Sequence, residues 1–262
     1  MSTTDQLNSS DEQSFEWFDT YRNAYRIAYE NHSFMKRWLT KISFIRLVQE
    51  IDENYLEKIN FPDEKKLIKD YLKESMERND PIPMVRAYTE KTAFVTKLNE
   101  DLADIGSDFR FHLTFSMSNG TLKDNDPPKD FGQFIYAAIL SHHSKLDKYR
   151  SFLGKTYRGM NIKPSDLDQY QPGKFILTRT FLSSSTDQTI AKRFLTTSNE
   201  NLAVICIYHI RDRSSTLDVQ SISRYPDERE ILLIPFVTFQ IISLEKNVHG
   251  ISFVQLDQCI TD

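Results

Sequence analysis

The sequence predicts an α+β fold, on three observations. Apolar residues recur at three- and four-residue spacing through about the first 140 positions. From about Thr156 short β-rich runs separated by turn signals replace them. Helices come first and strands second, instead of alternating along the chain. At 262 residues there is room for one large domain or two small ones. The expected organisation is a disordered lead over 1–12, a helical subdomain over 13–150 and a β-rich core over 151–262, with one integrated domain from about residue 84.

Taken in order, Phe18, Tyr21, Tyr25 and Ala28 form the apolar stripe of a first helix. The same spacing continues through Trp38, Ile42 and Ile45, then Ile51 and Tyr55, then Leu67, Tyr71 and Leu72. Asn79-Asp80-Pro81-Ile82-Pro83 interrupts it. Val85, Tyr88, Thr92, Val95, Leu98 and Leu102 then predict a single further helix. The polar stretch from Ser116 to Lys129 reads as a long loop before a helix carrying Phe131, Phe134, Ile135, Ala138 and Ile139. Predicted strands are Thr156–Gly159, Phe175–Ser184, Leu202–Ile210, Glu230–Phe239 and Ile251–Leu256. Between the second and third, Ser185 with Gln188 three residues on predicts a capping box for a helix with Ile190, Ala191, Phe194 and Leu195 on its apolar face. The run from Leu202 to Ile210 is nearly all apolar, which places it centrally in a sheet with both faces buried.

Composition removes several classes of function. A formal charge of −4 has the wrong sign for a general nucleic-acid surface, so no nucleic-acid partner is expected. Seven glycines, with neither G-x-G-x-x-G nor a Lys-Ser/Thr after Gly154 and Gly159, set aside dinucleotide-fingerprint and P-loop folds. Two cysteines, Cys206 and Cys259, supply neither a disulfide framework nor a Cys-rich zinc site. Six histidines without H-E-x-x-H leave no metal expected. Met1 to Glu16 is polar and no run approaches 18 apolar residues, so neither a signal peptide nor a membrane is expected, and a reducing cytoplasm is the default location.

Three short segments carry chemistry. In Tyr157-Arg158-Gly159, Arg158 offers a planar donor fork for a phosphate or carboxylate, and Gly159 would let a ligand approach the backbone. In Phe181-Leu182-Ser183-Ser184-Ser185, an extended chain puts Ser183 and Ser185 on one side; Ser185 is accounted for as a helix cap, Ser183 and Ser184 are not. In Tyr225-Pro226-Asp227-Glu228-Arg229-Glu230, the carboxylates of Glu228 and Glu230 at the start of an apolar strand would share a face with Cα atoms about 7 Å apart. At an effective dielectric of about 20 their repulsion is roughly 2.4 kcal/mol, enough to raise one of the two pKa values if water is excluded. Taken singly, each segment also reads as an ordinary surface turn or cap.

In this order the three segments resemble the arginine-specific mono-ADP-ribosyltransferases of the R-S-E type, with the E-x-E form at Glu228-Arg229-Glu230. Tyr88-Thr89 and Leu98-Asn99 extend the resemblance backwards, so that it covers roughly residues 84–240. It departs from the usual Ser-Thr-Ser in having Ser184 at the middle position. The resemblance implies a helical subdomain packed beside two facing β-sheets that form an NAD cleft, with NAD or its phosphorylated form NADP as co-substrate and no metal. It implies that Arg158 binds the phosphates and the Gly159 backbone meets the nicotinamide amide. Ser183 would support NAD binding and orient the catalytic Glu230, with Ser185 beside them. Glu230 would favour the oxocarbenium-like transition state as nicotinamide leaves. Glu228 points to a guanidinium acceptor, and Tyr225 would lie on the loop that meets it. The implied partner is an arginine-containing acceptor protein, the chain itself included. An NAD glycohydrolase and a catalytically silent NAD-binding or interaction domain remain as alternatives at this point.

Overall fold

The computed structural model describes residues 16–19, 21–104, 127, 129–196 and 201–260. The lead expected over 1–12 and most of the loop expected over 116–129 lie outside the described residues.

Helix α1, Tyr21–Lys41, buries Ala24, Ile27, Ala28, Phe34, Met35 and Trp38, the three- and four-residue spacing that makes one face apolar. Phe18, which the same pattern drew into this helix, belongs instead to a short strand, β1, Glu16–Asp19. After α2, Phe44–Glu50, the chain widens into a π-helical turn, Ile51–Tyr55. Helix α3, Pro62–Arg78, starts on a proline with Asp63 and Glu64 in its first turn, and it ends on Asn79 in the left-handed region.

The single helix expected over residues 85–102 is two: α4, Ile82–Thr89, and α5, Ala93–Ala103. The break falls at Glu90-Lys91-Thr92, where Lys91 has φ 43° and Thr92 is extended. Tertiary contacts override the helical pattern there. Glu90 accepts from the Tyr71 hydroxyl and pairs with Arg224 at 3.3 Å, which holds the chain out of helix.

Helix α6, Gly132–His142, is apolar almost all round and is the buried centre of the helical part. A Cβ on Gly132 would lie 2.2 Å from Tyr55 Cβ, so the π-helical turn closes directly on the start of α6. Arg150 donates to the carbonyls of Leu140 and Ser141 at the far end and to Ser214 at 2.9 Å, satisfying orphan helix carbonyls while tying α6 to the strand region.

The strands are β2, Gly154–Ile162; β3, Phe175–Thr178; β4, Leu182–Ser185; β5, Leu202–Ile210; β6, Thr216–Asp218; β7, Glu230–Leu233; β8, Thr238–Val248; and β9, Ile251–Gln258, with a short helix, α7, Pro164–Leu167, between β2 and β3. Their order is β1-β3-β8-β9-β5-β2-β4-β7-β6. Strand β5 is fifth of nine, as its apolar run predicts. In place of two separate sheets, the described strands form one hydrogen-bonded sheet. Its halves meet through one registered pair between β2 and β4, Tyr157↔Ser185, whereas β2 and β5 register over nine pairs.

Two predicted runs each divide. Phe175–Ser184 becomes β3 and β4, and Glu230–Phe239 becomes β7 and β8. In both, the chain crosses from one half of the sheet to the other. Pro235 has no N–H for the ladder, and Phe236, at φ 63°, turns the chain while its N–H donates to the Thr178 carbonyl at 2.7 Å.

Candidate active site

The register gathers the three chemical segments. Tyr157 lies opposite Ser185 across the β2–β4 join, and Ser185 lies opposite Glu230 across β4–β7. One row thus spans residues 73 positions apart in sequence (157 to 230). Beside it opens a cleft of about 410 Å³, whose lining includes Arg158, Gly159, Ser183, Ser185, Glu228 and Glu230. That volume is in the range of small-molecule sites. Tyr225 is not among the lining residues; it is 40% exposed, with its ring 4.4 Å from the Lys91 ammonium that pairs with Glu228.

Ser184 and Ser185 make the wall rigid. Ser184 also lines the cleft, and its hydroxyl is engaged in a buried brace, accepting from Thr156 Oγ1 at 2.7 Å and donating to the Ile231 carbonyl at 2.7 Å. Its hydroxyl joins β2, β4 and β7 at the one place where the sheet is thin. Ser185 donates to the Glu228 carbonyl at 2.7 Å and accepts from the Asp187 N–H at 3.0 Å. It does not cap the following helix, α8, Gln188–Lys192. Asp187 does, accepting from Thr189 N at 2.9 Å. The cap falls two residues later because Ser185 is still in β4.

Arg158 donates from Nη1 to the Ser183 carbonyl at 2.7 Å, while its Nε is buried with no hydrogen-bond partner among the described residues. Gly159 is required for a reason the sequence does not disclose. A Cβ there would lie 2.1 Å from the Ala191 carbonyl oxygen, so α8 rather than a ligand makes the close approach.

Glu230 is 7% exposed. Burial pushes its carboxyl above the usual range; the Ser183 hydroxyl opposes this by donating a hydrogen bond, Glu228 adds to it, and Lys91 and Arg158 oppose it. Glu228 is not on the strand with Glu230, as a period-two pattern would have it. It ends a 3₁₀ turn, Pro226–Glu228, and Arg229 follows in the left-handed region at φ 48°. The two carboxylates still act on each other, across a bend in the chain. Glu228 is paired with Lys91 of the α4–α5 break.

Other residues pin this geometry from the helical side. Asn99 donates to the Tyr88 hydroxyl at 3.0 Å, which donates to the Phe181 carbonyl at 3.4 Å, just before β4. Thr89 Oγ1 accepts from Arg224 N at 3.4 Å, next to Tyr225. Sequence reasoning missed Lys91, Thr156 and Ala191, whose partners lie 28 to 137 positions away or on a backbone oxygen. Among the described residues no group of three His, Cys, Asp or Glu gathers as a metal site, and no helix is long and apolar enough to cross a membrane.

The family described as NAD:arginine ADP-ribosyltransferase matches residues 129–261. The chain belongs to that family. Within this ADP-ribosyltransferase family, the chain is 34% identical over 131 residues to "Putative NAD(+)--arginine ADP-ribosyltransferase Mav" of Mycobacterium avium (strain 104), covering 50% of this chain and 14% of that one. It is 29% identical over 120 residues to "Putative NAD(+)--arginine ADP-ribosyltransferase Vis" of Vibrio splendidus (strain 12B01), covering 45% and 46%. The chain thus spans less than half the length of these curated relatives. The crystal structure of ADP-ribosyltransferase Vis in complex with agmatine aligns with a TM-score of 0.45 at 17% identity, covering 93% of this chain and 87% of that one.

Proposed function

We propose that the chain transfers ADP-ribose from NAD to arginine side chains of acceptor proteins and releases nicotinamide. The observation that carries this reading is the meeting of Arg158, Ser183 and Glu230 on one cleft, with a second carboxylate, Glu228, at its edge, in a chain of this family.

The residues present fit NAD. Arg158 Nε is a buried donor without a partner among the described residues, as an anionic phosphate would require, and the cleft has room for a small molecule. Arg158 and the backbone of Gly159 would hold the dinucleotide, with Ser183 beside them. Bound NAD supplies an N-glycosidic bond whose breakage develops positive charge on the ribose. Glu230 is fixed by Ser183 in a site shielded from water, so its carboxylate favours that charge more than the ground state. Ser185 is a positioning residue, holding the Glu228 carbonyl and thereby the bend that separates the two carboxylates. Glu228 would orient the acceptor guanidinium and take its proton, with Tyr225 offering a ring face beside it.

The thin β2–β4 join makes the two halves of the sheet the two walls of the cleft in this reading, and the residues from about 84 onward one catalytic unit. Cys206 and Cys259 are both in the reduced form, which suits a reducing cytoplasm, where we place the protein. Hydrolysis of NAD by water is a second reading, favoured by one observation. Glu228 is already paired with Lys91, so water is the ready acceptor until a guanidinium displaces that amine.

The test is to incubate the protein with NAD and agmatine, a small guanidine, and to follow nicotinamide by chromatography and ADP-ribosyl-agmatine by mass. Both should form. Nicotinamide with free ADP-ribose alone would favour the second reading, and neither product would refute both.

A further inference from the structure

Lys91 is in an unusual place for a surface lysine. It is the middle of the break between α4 and α5, at φ 43°, a backbone region that side-chain-bearing residues seldom adopt. The break is held on its N-terminal side: Thr89 and Glu90 are bonded to Arg224, and Glu90 also to Tyr71. Arg224 immediately precedes Tyr225, so the lysine and Tyr225 are parts of one anchored structure.

The ammonium is paired with Glu228 and lies 4.4 Å from the centre of the Tyr225 ring and 5.5 Å from that of Phe194. A carboxylate on one side and an aromatic face on the other is what recognition of an incoming guanidinium requires. The side chain is 49% exposed, so its head can leave for water without a buried charge being stranded. A guanidinium offers Glu228 a planar, two-pronged donor where an ammonium offers a point charge, which lets an arginine displace it.

We propose that Lys91 is a built-in competitor for the acceptor site. It holds Glu228 and the Tyr225 ring as a cationic stand-in until an arginine replaces it, and so sets the acceptor affinity. This rests on the reading of Glu228 as the acceptor carboxylate. While the lysine occupies the site, apparent acceptor affinity falls by the fraction of molecules in which the site is open.

The experiment measures agmatine binding by calorimetry, in the presence of nicotinamide, and agmatine kinetics with NAD. The proteins are wild type, Lys91→Gln, Lys91→Arg, Glu228→Gln and the Lys91→Gln, Glu228→Gln pair. Lys91→Gln should tighten agmatine by roughly three- to tenfold, from losing one exposed ion pair and the cation–ring contacts with Tyr225 and Phe194. Its KM for agmatine should fall by the same factor, with KM for NAD moving by less than about twofold. Lys91→Arg keeps the internal cation and should bind as weakly as wild type. In the Glu228→Gln background the gain should vanish, because no carboxylate remains to be freed. Unchanged agmatine binding in Lys91→Gln, or an equal gain without Glu228, overturns the proposal. If binding tightens as expected but wild type transfers nothing to agmatine, the competitor role stands and the transferase reading is what fails.

Discussion

Replacing Gly159 with alanine tests the packing that closes the cleft on the α8 side. The added methyl carbon would lie 2.1 Å from the Ala191 carbonyl oxygen and 3.1 Å from its carbon, with Leu195 Cδ2 at 3.3 Å. Carbon contacts relax near about 3.5 Å, so one partner must retreat by more than about 1 Å. Strand β2 is bonded to β5 across nine registered pairs, whereas α8 has five residues and one side-chain cap. The helix is therefore what moves. Overpacking of this kind costs about 1–3 kcal/mol. At about 2–4 °C per kcal/mol for a chain of this size, the melting temperature should fall by about 2–12 °C. Ala191 and Phe194 line the cleft, so their displacement should also lower kcat/KM for nicotinamide release by about tenfold or more. Thermal melts by circular dichroism and a nicotinamide assay read the two effects. An unchanged melt with NAD affinity lost would refute the packing argument and return Gly159 to the role of admitting a ligand.

The other expectations follow from single groups. Glu230→Gln keeps size and removes the charge facing the ribose, so nicotinamide release and transfer should both fall by at least about 2.7–4 kcal/mol of barrier, with the melt unchanged; turnover within a few-fold of wild type would remove Glu230 from the chemistry. Arg158→Lys keeps charge but loses the fork that both grips Ser183 and presents Nε, so calorimetric NAD affinity should drop by about tenfold or more, and equal affinity would make Arg158 a wall residue only. His32 and His142 are hydrogen-bonded at 3.0 Å, and His32 Nε2 donates to the Phe236 carbonyl at 3.1 Å, so His32 Nδ1 must accept from His142. Burial holds both rings neutral, below their usual range, so the unfolded chain takes up protons first as pH drops below about 6.5. Stability, constant above that pH, should fall below it by up to about 1.4 kcal/mol per unit for each ring; urea titrations at pH 7.5 and 5.5 should show this slope flattened in a His32→Gln, His142→Gln double variant, and equal slopes would contradict it.

What was legible in the sequence is what depends on near neighbours along the chain. The apolar stripes gave α1, α3 and α6, and an unbroken apolar run gave the central strand β5. The three chemical segments could be found because each packs its donors or carboxylates into three to six residues. The rest depends on partners far away in sequence. The helix break at Lys91 exists because Glu90 is held by Tyr71 and Arg224, and no local signal opposes a continuous helix there. The 3₁₀ turn before Glu230 and the left-handed Arg229 could not be told from the start of a strand. Sheet continuity rests on one pair, Tyr157↔Ser185, with the buried Thr156–Ser184 bond behind it, which no pattern of hydrophobicity encodes. The constraint on Gly159 is likewise a helix carbonyl brought there by folding, which no local pattern carries.

In the proposed reaction two carboxylates divide the work: Glu230 for breaking the glycosidic bond, Glu228 for the arginine acceptor. Glu228→Gln, assayed for nicotinamide release and for ADP-ribosyl-agmatine in the same reaction, tests that division most directly. Glutamine can still accept a hydrogen bond but cannot take the guanidinium proton or offset its charge. Nicotinamide release should stay within about tenfold of wild type while transfer to agmatine falls by roughly 10²-fold or more, leaving hydrolysis as the main outcome. Transfer at near wild-type rate, or loss of both products together, would contradict the account.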